Sequence, residues 1–290
     1  MPSSNVDMAP VVEARTAARA LSSRTLSGAL GVEIEGVDLA RPLTPERFAE
    51  VRDLFHENVV ILFRGQKLQP ADLVRFIEGF GAAEPHPLGS RRGLEQFPQV
   101  MLLENSKGKL GPRTDIWHSD ISYGEIPPLG SALYAIEVTT GRADTMFTNM
   151  YAAYESLSPG LRRTLDGLRA VHTAEPLVRE VPSRLSVKEA PPGVEHPVVR
   201  THPQTGRKAL YVNPWFTSHF VGWTAEESRP LLDYLTEIAT RHENIYRHHW
   251  RVGDVLMWDN RAAMHYGVRD YDDTMPRFMW RVTAAGDRPR

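Results

Sequence analysis

Short runs in which apolar residues alternate with small or polar ones recur along most of this chain, and a chain so patterned builds its core from sheets. Leu30, Val32 and Ile34 alternate in this way. The longest apolar run, Val59-Val60-Ile61-Leu62-Phe63, suits a buried strand. Further strands are expected at 100–103, 131–138, 145–149, 198–200 and 209–212, and through the C-terminal part, where Gly253-Asp254 and the 267–276 loop separate them. Helices interrupt the pattern at a few places. One opens at Thr44-Pro45 with Phe48, Val51 and Phe55 on one face, and a second carries Leu73, Phe76, Ile77 and Phe80. Others are expected at 151–157 and 159–169, and from Thr224, whose capping box closes on Glu227. The predicted fold class is therefore α+β or mostly β, a barrel or sandwich of short strands wrapped by helices.

Residues 1–27 read as a flexible N-terminal tail, and 28–290 as one domain. Within it, 173–197 holds five of the 22 prolines and reads as a loop or lid, longer than a compact domain keeps without a function. No run approaches the roughly 18 apolar residues that span a bilayer, and the tail lacks the apolar stretch of a signal peptide. A cytoplasmic enzyme is the expectation, with no membrane and no nucleic-acid partner. Lys and Arg total 34 against 36 Asp and Glu, a net charge of −2, so any anion must be held locally and not by a global positive field.

The chain has 11 histidines and no cysteine, which excludes thiolate metal sites, iron–sulfur clusters, disulfides and cysteine nucleophiles together. A metal here must sit on nitrogen and oxygen. Trp117-His118-Ser119-Asp120 holds a His-x-Asp whose side chains, on a strand, would project side by side. Chance supplies such a tripeptide about as often as not in a chain of this length, so its weight comes from context. His265, after Val255-Leu256-Met257-Trp258 and Asp259-Asn260-Arg261, is the best third ligand. Two histidines and a carboxylate leave about three positions of an octahedron open, the set suited to ferrous iron that binds co-substrate and dioxygen. The competing reading of His118 and Asp120 is a hydrogen-bonded surface pair. In Pro276-Arg277-Phe278-Met279-Trp280-Arg281-Val282, alternation puts Arg277, Met279 and Arg281 on one face. Packed inward, the two guanidiniums would clamp an anion, since a buried unpaired arginine is too costly to persist. Packed at an edge, they would simply be solvated.

His118-x-Asp120, Asp144-Thr145, Trp258-Asp259-Asn260-Arg261 followed by His265, then Arg277 and Arg281, together resemble the taurine dioxygenase family of Fe(II)- and 2-oxoglutarate-dependent oxygenases. The likeness runs from about Gly28 to the C-terminus and includes Gly36-Val37-Asp38-Leu39, Tyr151-Ala152-Ala153-Tyr154-Glu155 and His196-Pro197-Val198-Val199-Arg200-Thr201-His202-Pro203. It implies a double-stranded β-helix, or jelly roll, and the cofactors Fe(II), 2-oxoglutarate and O2. His118, Asp120 and His265 would ligate the metal, Thr145 and Arg277 would hold the distal carboxylate of 2-oxoglutarate, and Arg281 would lie nearer the metal beside the acid and an anionic substrate. The implied reaction is hydroxylation of a small organic anion with release of succinate and CO2. His86 matches a substrate-contacting histidine, and Tyr123 and Phe216 stand where the family has aromatic pocket walls. Gly89 and Thr114 replace larger or polar residues of the taurine pocket, so an alkyl sulfonate, alkyl sulfate or aryloxyalkanoate fits as well as taurine. A homo-oligomer, dimer or tetramer, is expected. The alternatives are a metal-dependent jelly-roll hydrolase or isomerase that does not use 2-oxoglutarate, which has no need of Thr145 and Arg277, and a non-catalytic jelly-roll binding protein.

Overall fold

A computed structural model of the chain describes residues 20–87, 93–108, 114–180 and 187–290. The first strands are β1 (Ser22–Thr25), β2 (Val32–Glu35) and β3 (Val60–Phe63), with helix α1 (Pro45–Asn58) between the last two. Helix α2 (Pro70–Glu78) leads to β4 (Ala83–Glu84), β5 (Gly93–Leu94), β6 (Phe97–Asn105), β7 (Gly130–Glu137) and β8 (Thr145–Asn149). After α3 (Met150–Glu155) and α4 (Pro159–Leu165) come β9 (Arg169–His172), α5 (Glu175–Glu180), β10 (Val194–Pro197), β11 (Val199–Thr201), β12 (Lys208–Leu210) and β13 (Thr217–Phe220). Helix α6 (Ala225–Ala239) precedes β14 (Ile245–His248), β15 (Val255–Asp259), β16 (Ala263–Gly267) and β17 (Arg277–Ala284).

The largest sheet runs β1-β2-β3-β15-β7-β17-β6-β5, with β4 paired to β17. A smaller sheet, β14-β8-β16, a third, β10-β9-β13, and the pair β11-β12 complete the expected jelly roll. Period-two patterning decides which residues fill each layer. On β15, Leu256 and Trp258 join Phe147, Met264 and Met279 in the core between the sheets, while Val255 and Met257 turn to the other face. That outer face is covered by Val51 and Phe55 of α1 and by Leu73, Phe76 and Ile77 of α2. Helix α1 starts on the predicted Pro45, α2 starts on Pro70, and α6 has its predicted capping box of Thr224 and Glu227.

Four readings of the sequence need correction. Ser22–Thr25, assigned to the tail, forms β1 against β2, with Arg24 Nη2 2.6 Å from Glu33 Oε2. All four residues are exposed, so no apolar alternation marked the strand; residues 1–19 lie outside those described. The helix expected over 159–169 stops at Leu165, and after Gly167 the chain enters β9. The supposed loop 173–197 contains α5 and β10, while 181–186 fall outside the described residues. Finally, 117–120 is no strand but a single bridge followed by a turn, in which Ile121 has a φ of +51°.

Candidate active site

That single bridge joins His118 to His265. His118 N donates to His265 O at 3.0 Å and His265 N to His118 O at 2.8 Å, so the sheet register itself brings the imidazoles together, with ring centroids 4.1 Å apart. Ser119 Oγ donates to Ala263 O at 2.8 Å, and the Trp117 ring packs on Tyr266, which fastens the segment to β16. The turn then carries Asp120 back, with Oδ1 3.9 Å from His118 Nε2 and 3.7 Å from His265 Nε2. The three buried residues offer one ligand atom each within 4.8 Å of one another, the only such His/Asp/Glu group among the described residues.

Burial holds both histidines below the ordinary imidazole pKa, so they stay neutral. His118 Nδ1 lies 2.7 Å from Ile116 O, a carbonyl that only accepts, which assigns the proton to Nδ1 and leaves the Nε2 lone pair facing Asp120. Burial acts to raise the Asp120 carboxyl. Arg281, with the hydrogen bond from Ser131, outweighs it and holds the group well below the usual carboxylate range. Arg281 Nη2 is 2.7 Å from Asp120 Oδ1. Two unprotonated imidazole nitrogens and a carboxylate oxygen, all out of water, are the donor chemistry of a ferrous-iron centre.

A cavity opens beside the triad, lined among others by Thr114, Leu133, Thr145, Tyr271, Arg277 and Arg281. The expected face of β17 is the observed one: Arg277 and Arg281 line this cavity while Met279 between them is buried in the core. Nε of each arginine is buried without a hydrogen-bond partner; Arg281 already meets Asp120 through Nη2, whereas Arg277 makes no ion pair with a described carboxylate. Thr145 heads β8, where its Oγ1 accepts from Trp250 Nε1 at 3.0 Å. Gly267 leaves room for Thr114, whose Oγ1 would be 2.4 Å from a Cβ at that position.

His86, Tyr123 and Phe216 come together in a separate group, outside the lining of that cavity. Tyr123 Oη lies 3.4 Å from His86 Nε2, and its ring stands edge-on to Phe216 at 4.9 Å. Burial, reinforced by Arg281, lowers the His86 pKa to about 4, so its imidazole is neutral near pH 7. Gly89 lies outside the described residues. The sequence reading missed Trp215, which stacks on Phe216 and stands edge-on to His118 with centroids 4.7 Å apart. Its neighbour Phe216 was the available signal. With Ile121, Tyr123, Ala174 and Val178 these rings form a separate apolar cluster, against which Leu177, Val187 and Ala190 pack. The Asp259-Asn260-Arg261 turn is a buried lock: Asp259 accepts from the Arg261 guanidinium at 2.6 and 2.8 Å, from the Arg261 backbone N at 2.9 Å and from His202 Nε2 at 3.0 Å.

Known proteins share this architecture over nearly the whole length. An alkylsulfatase of Acinetobacter baylyi is 34% identical over 92% of this chain and 86% of its own. An alpha-ketoglutarate-dependent 2,4-dichlorophenoxyacetate dioxygenase of Cupriavidus pinatubonensis is 35% identical over 88% and 94%. The crystal structure of a taurine dioxygenase from Burkholderia xenovorans superposes with a TM-score of 0.80 at 36% identity, covering 93% of this chain and 91% of that one. A further neighbour, AAD-2, solved with Mn(II) and N-oxalylglycine, gives a TM-score of 0.77 at 31% identity, with 93% and 98% covered. Residues 22–283 match the family described as taurine catabolism dioxygenase TauD, TfdA, and the chain belongs to that family.

Proposed function

We propose that this chain is an Fe(II)- and 2-oxoglutarate-dependent dioxygenase that hydroxylates an organic anion with a bulky apolar body, an alkyl sulfate, alkyl sulfonate or aryloxyalkanoate. One observation carries the reading: a buried His118/Asp120/His265 triad shares its cavity with two guanidiniums whose Nε atoms have no partner. A hydrolase or isomerase working on the same metal has no use for that pair of cations.

His118, Asp120 and His265 would hold the iron. Thr145 and Arg277 would take the far carboxylate of 2-oxoglutarate, with the planar guanidinium as a bidentate partner. Arg281, in contact with Asp120, places positive charge between the metal ligands and an incoming anion. Iron, when bound, supplies the activation of O2 that couples decarboxylation of 2-oxoglutarate to succinate and CO2 with oxidation of a C–H bond. The protein binds, orients and keeps water out. For substrate, the apolar cluster of Ile121, Tyr123, Trp215 and Phe216, whose Trp215 ring stands edge-on to His118, supports a ligand with an apolar body, as do the relatives named for alkylsulfatase and 2,4-dichlorophenoxyacetate dioxygenase activity. Leu177, Val187 and Ala190 of segment 173–197 pack on that cluster, which supports the segment's reading as a lid. We infer that residues 28–290, extended by β1, act as one catalytic domain in a cytoplasmic homodimer or tetramer; exposed Val221 and Trp223 offer an apolar contact, and sedimentation as a monomer would overturn the oligomer.

Anaerobic addition of Fe(II) and 2-oxoglutarate should produce the weak visible charge-transfer band of their complex, and His118→Ala should abolish it. No band in the wild type, or the same band in the variant, overturns the assignment. A panel of sulfonates, sulfates and aryloxy acids, scored by succinate release, then identifies the substrate.

A further inference from the structure

The two carboxylate oxygens of Asp120 have different surroundings. Oδ1 faces both histidine Nε2 atoms and Arg281 Nη2. Oδ2 accepts a hydrogen bond from Ser131 Oγ at 2.6 Å. Ser131 Oγ accepts from Asn260 Nδ2 at 3.1 Å, and Asn260 Oδ1 accepts from Trp258 Nε1 at 2.9 Å and from Asp120 N at 3.3 Å. Ser131, Asn260 and Trp258 are all at most 1% exposed, so bulk water does not compete for these bonds.

The chemistry of the groups gives this chain of bonds one direction. An indole N–H and a backbone N–H only donate, so the oxygen of the Asn260 amide must face them and its NH2 must face Ser131. An amide NH2 also only donates, so Ser131 accepts from it and has a single proton left to give. That proton goes to Asp120 Oδ2.

We propose that Ser131, aligned by Asn260 and Trp258, is a positioning residue that reserves Oδ2 of Asp120 and so holds this carboxylate to single-oxygen ligation of the metal. The inference rests on the metal-centre reading above and adds to it. A carboxylate free to bind through both oxygens would fill a further position on the ion; confined to Oδ1, it leaves three positions for the co-substrate and O2. The participants come from β7, the end of β15 and the turn after it, which ties the carboxylate to the large sheet while His265 hangs from the smaller one.

Titration of Co(II) into metal-free protein, followed by calorimetry and by the visible spectrum of the bound ion, tests this without turnover. Ser131→Ala should bind Co(II) about 10- to 100-fold more weakly, the usual cost of losing a partner of a metal ligand, and with an altered spectrum. Ser131→Thr, which keeps the hydroxyl, should restore both. Asn260→Asp replaces the amide donor with an acceptor that draws the Ser131 proton away, and should reproduce the Ser131→Ala defect with the serine still in place; it decides the matter if the threonine variant does not fold. Wild-type affinity and spectrum in Ser131→Ala overturn the inference alone. A wild-type protein that binds no Co(II) overturns the metal centre and the inference with it.

Discussion

Arg277 is a cation with a buried Nε and no partner for it, and burial pulls its pKa below the ordinary arginine value against the opposing influence of Tyr271. A guanidinium so placed is stable only if an anion completes it. Arg277→Leu should therefore weaken 2-oxoglutarate binding by the cost of leaving a carboxylate unpaired, about 2–5 kcal/mol, or roughly 30- to several-thousand-fold in Kd. Arg277→Lys should recover only part of this, because an ammonium cannot match both carboxylate oxygens. Titration of the anaerobic charge-transfer band measures both, and unchanged affinity in Arg277→Leu would remove this residue from the clamp. Alternation along 277–282 sufficed to place Arg277 and Arg281 together, since side-chain direction on a strand is set by local sequence. Ser131 and Asn260 were out of reach for the opposite reason: their hydrogen bond joins residues 129 positions apart.

At the scale of the element, β17 does two jobs along one strand. Phe278, Trp280 and Val282 alternate with Arg277, Met279 and Arg281, and the strand pairs with both β6 and β7, so its inward face is fixed in position by neighbours on each side. Met279 sits between the two arginines at 0% exposure and packs into the core between the sheets. Met279→Ala should cost about 2–5 kcal/mol of stability and lower the urea midpoint without changing the slope. Because the cavity it opens lies under the clamp, 2-oxoglutarate affinity should fall as well; a destabilised variant with wild-type affinity would show that the clamp is held by the backbone pairing alone. Strands with a one-sided apolar face were legible in the sequence. Those that were missed, among them β1, β9, β10 and β13, are four-residue strands rich in polar residues and carry no run of alternating apolar side chains, and the short bridge at His118 is made by tertiary pairing with His265, which no window around residue 118 contains.

Across the whole molecule, the apolar core is easily read from sequence, but the buried histidines outside the metal site are not. His172 on β9 is fully buried, with Nδ1 3.1 Å from Ser122 Oγ, and His196 on β10 donates from Nε2 to Gly124 O at 2.9 Å; their rings are 5.2 Å apart. Burial lowers the first to about pKa 3, helped by the second, and lowers the second to about 4, against 6.5 for an unperturbed imidazole. Between those limits the unfolded chain takes up protons that the native state refuses. Stability is then complete above about pH 6.5 and declines as pH falls toward about 4, by about 1.4 kcal/mol per pH unit for each histidine. Ser122 and Gly124 flank Tyr123, so protonation that opens this pair also loosens the aromatic wall of the site. Urea midpoints of the metal-free protein should drop from about pH 7 to about pH 5, and His172→Gln, which cannot take up that proton, should lessen the slope. Equal slopes in the two proteins would mean that His172 is not held neutral by the fold.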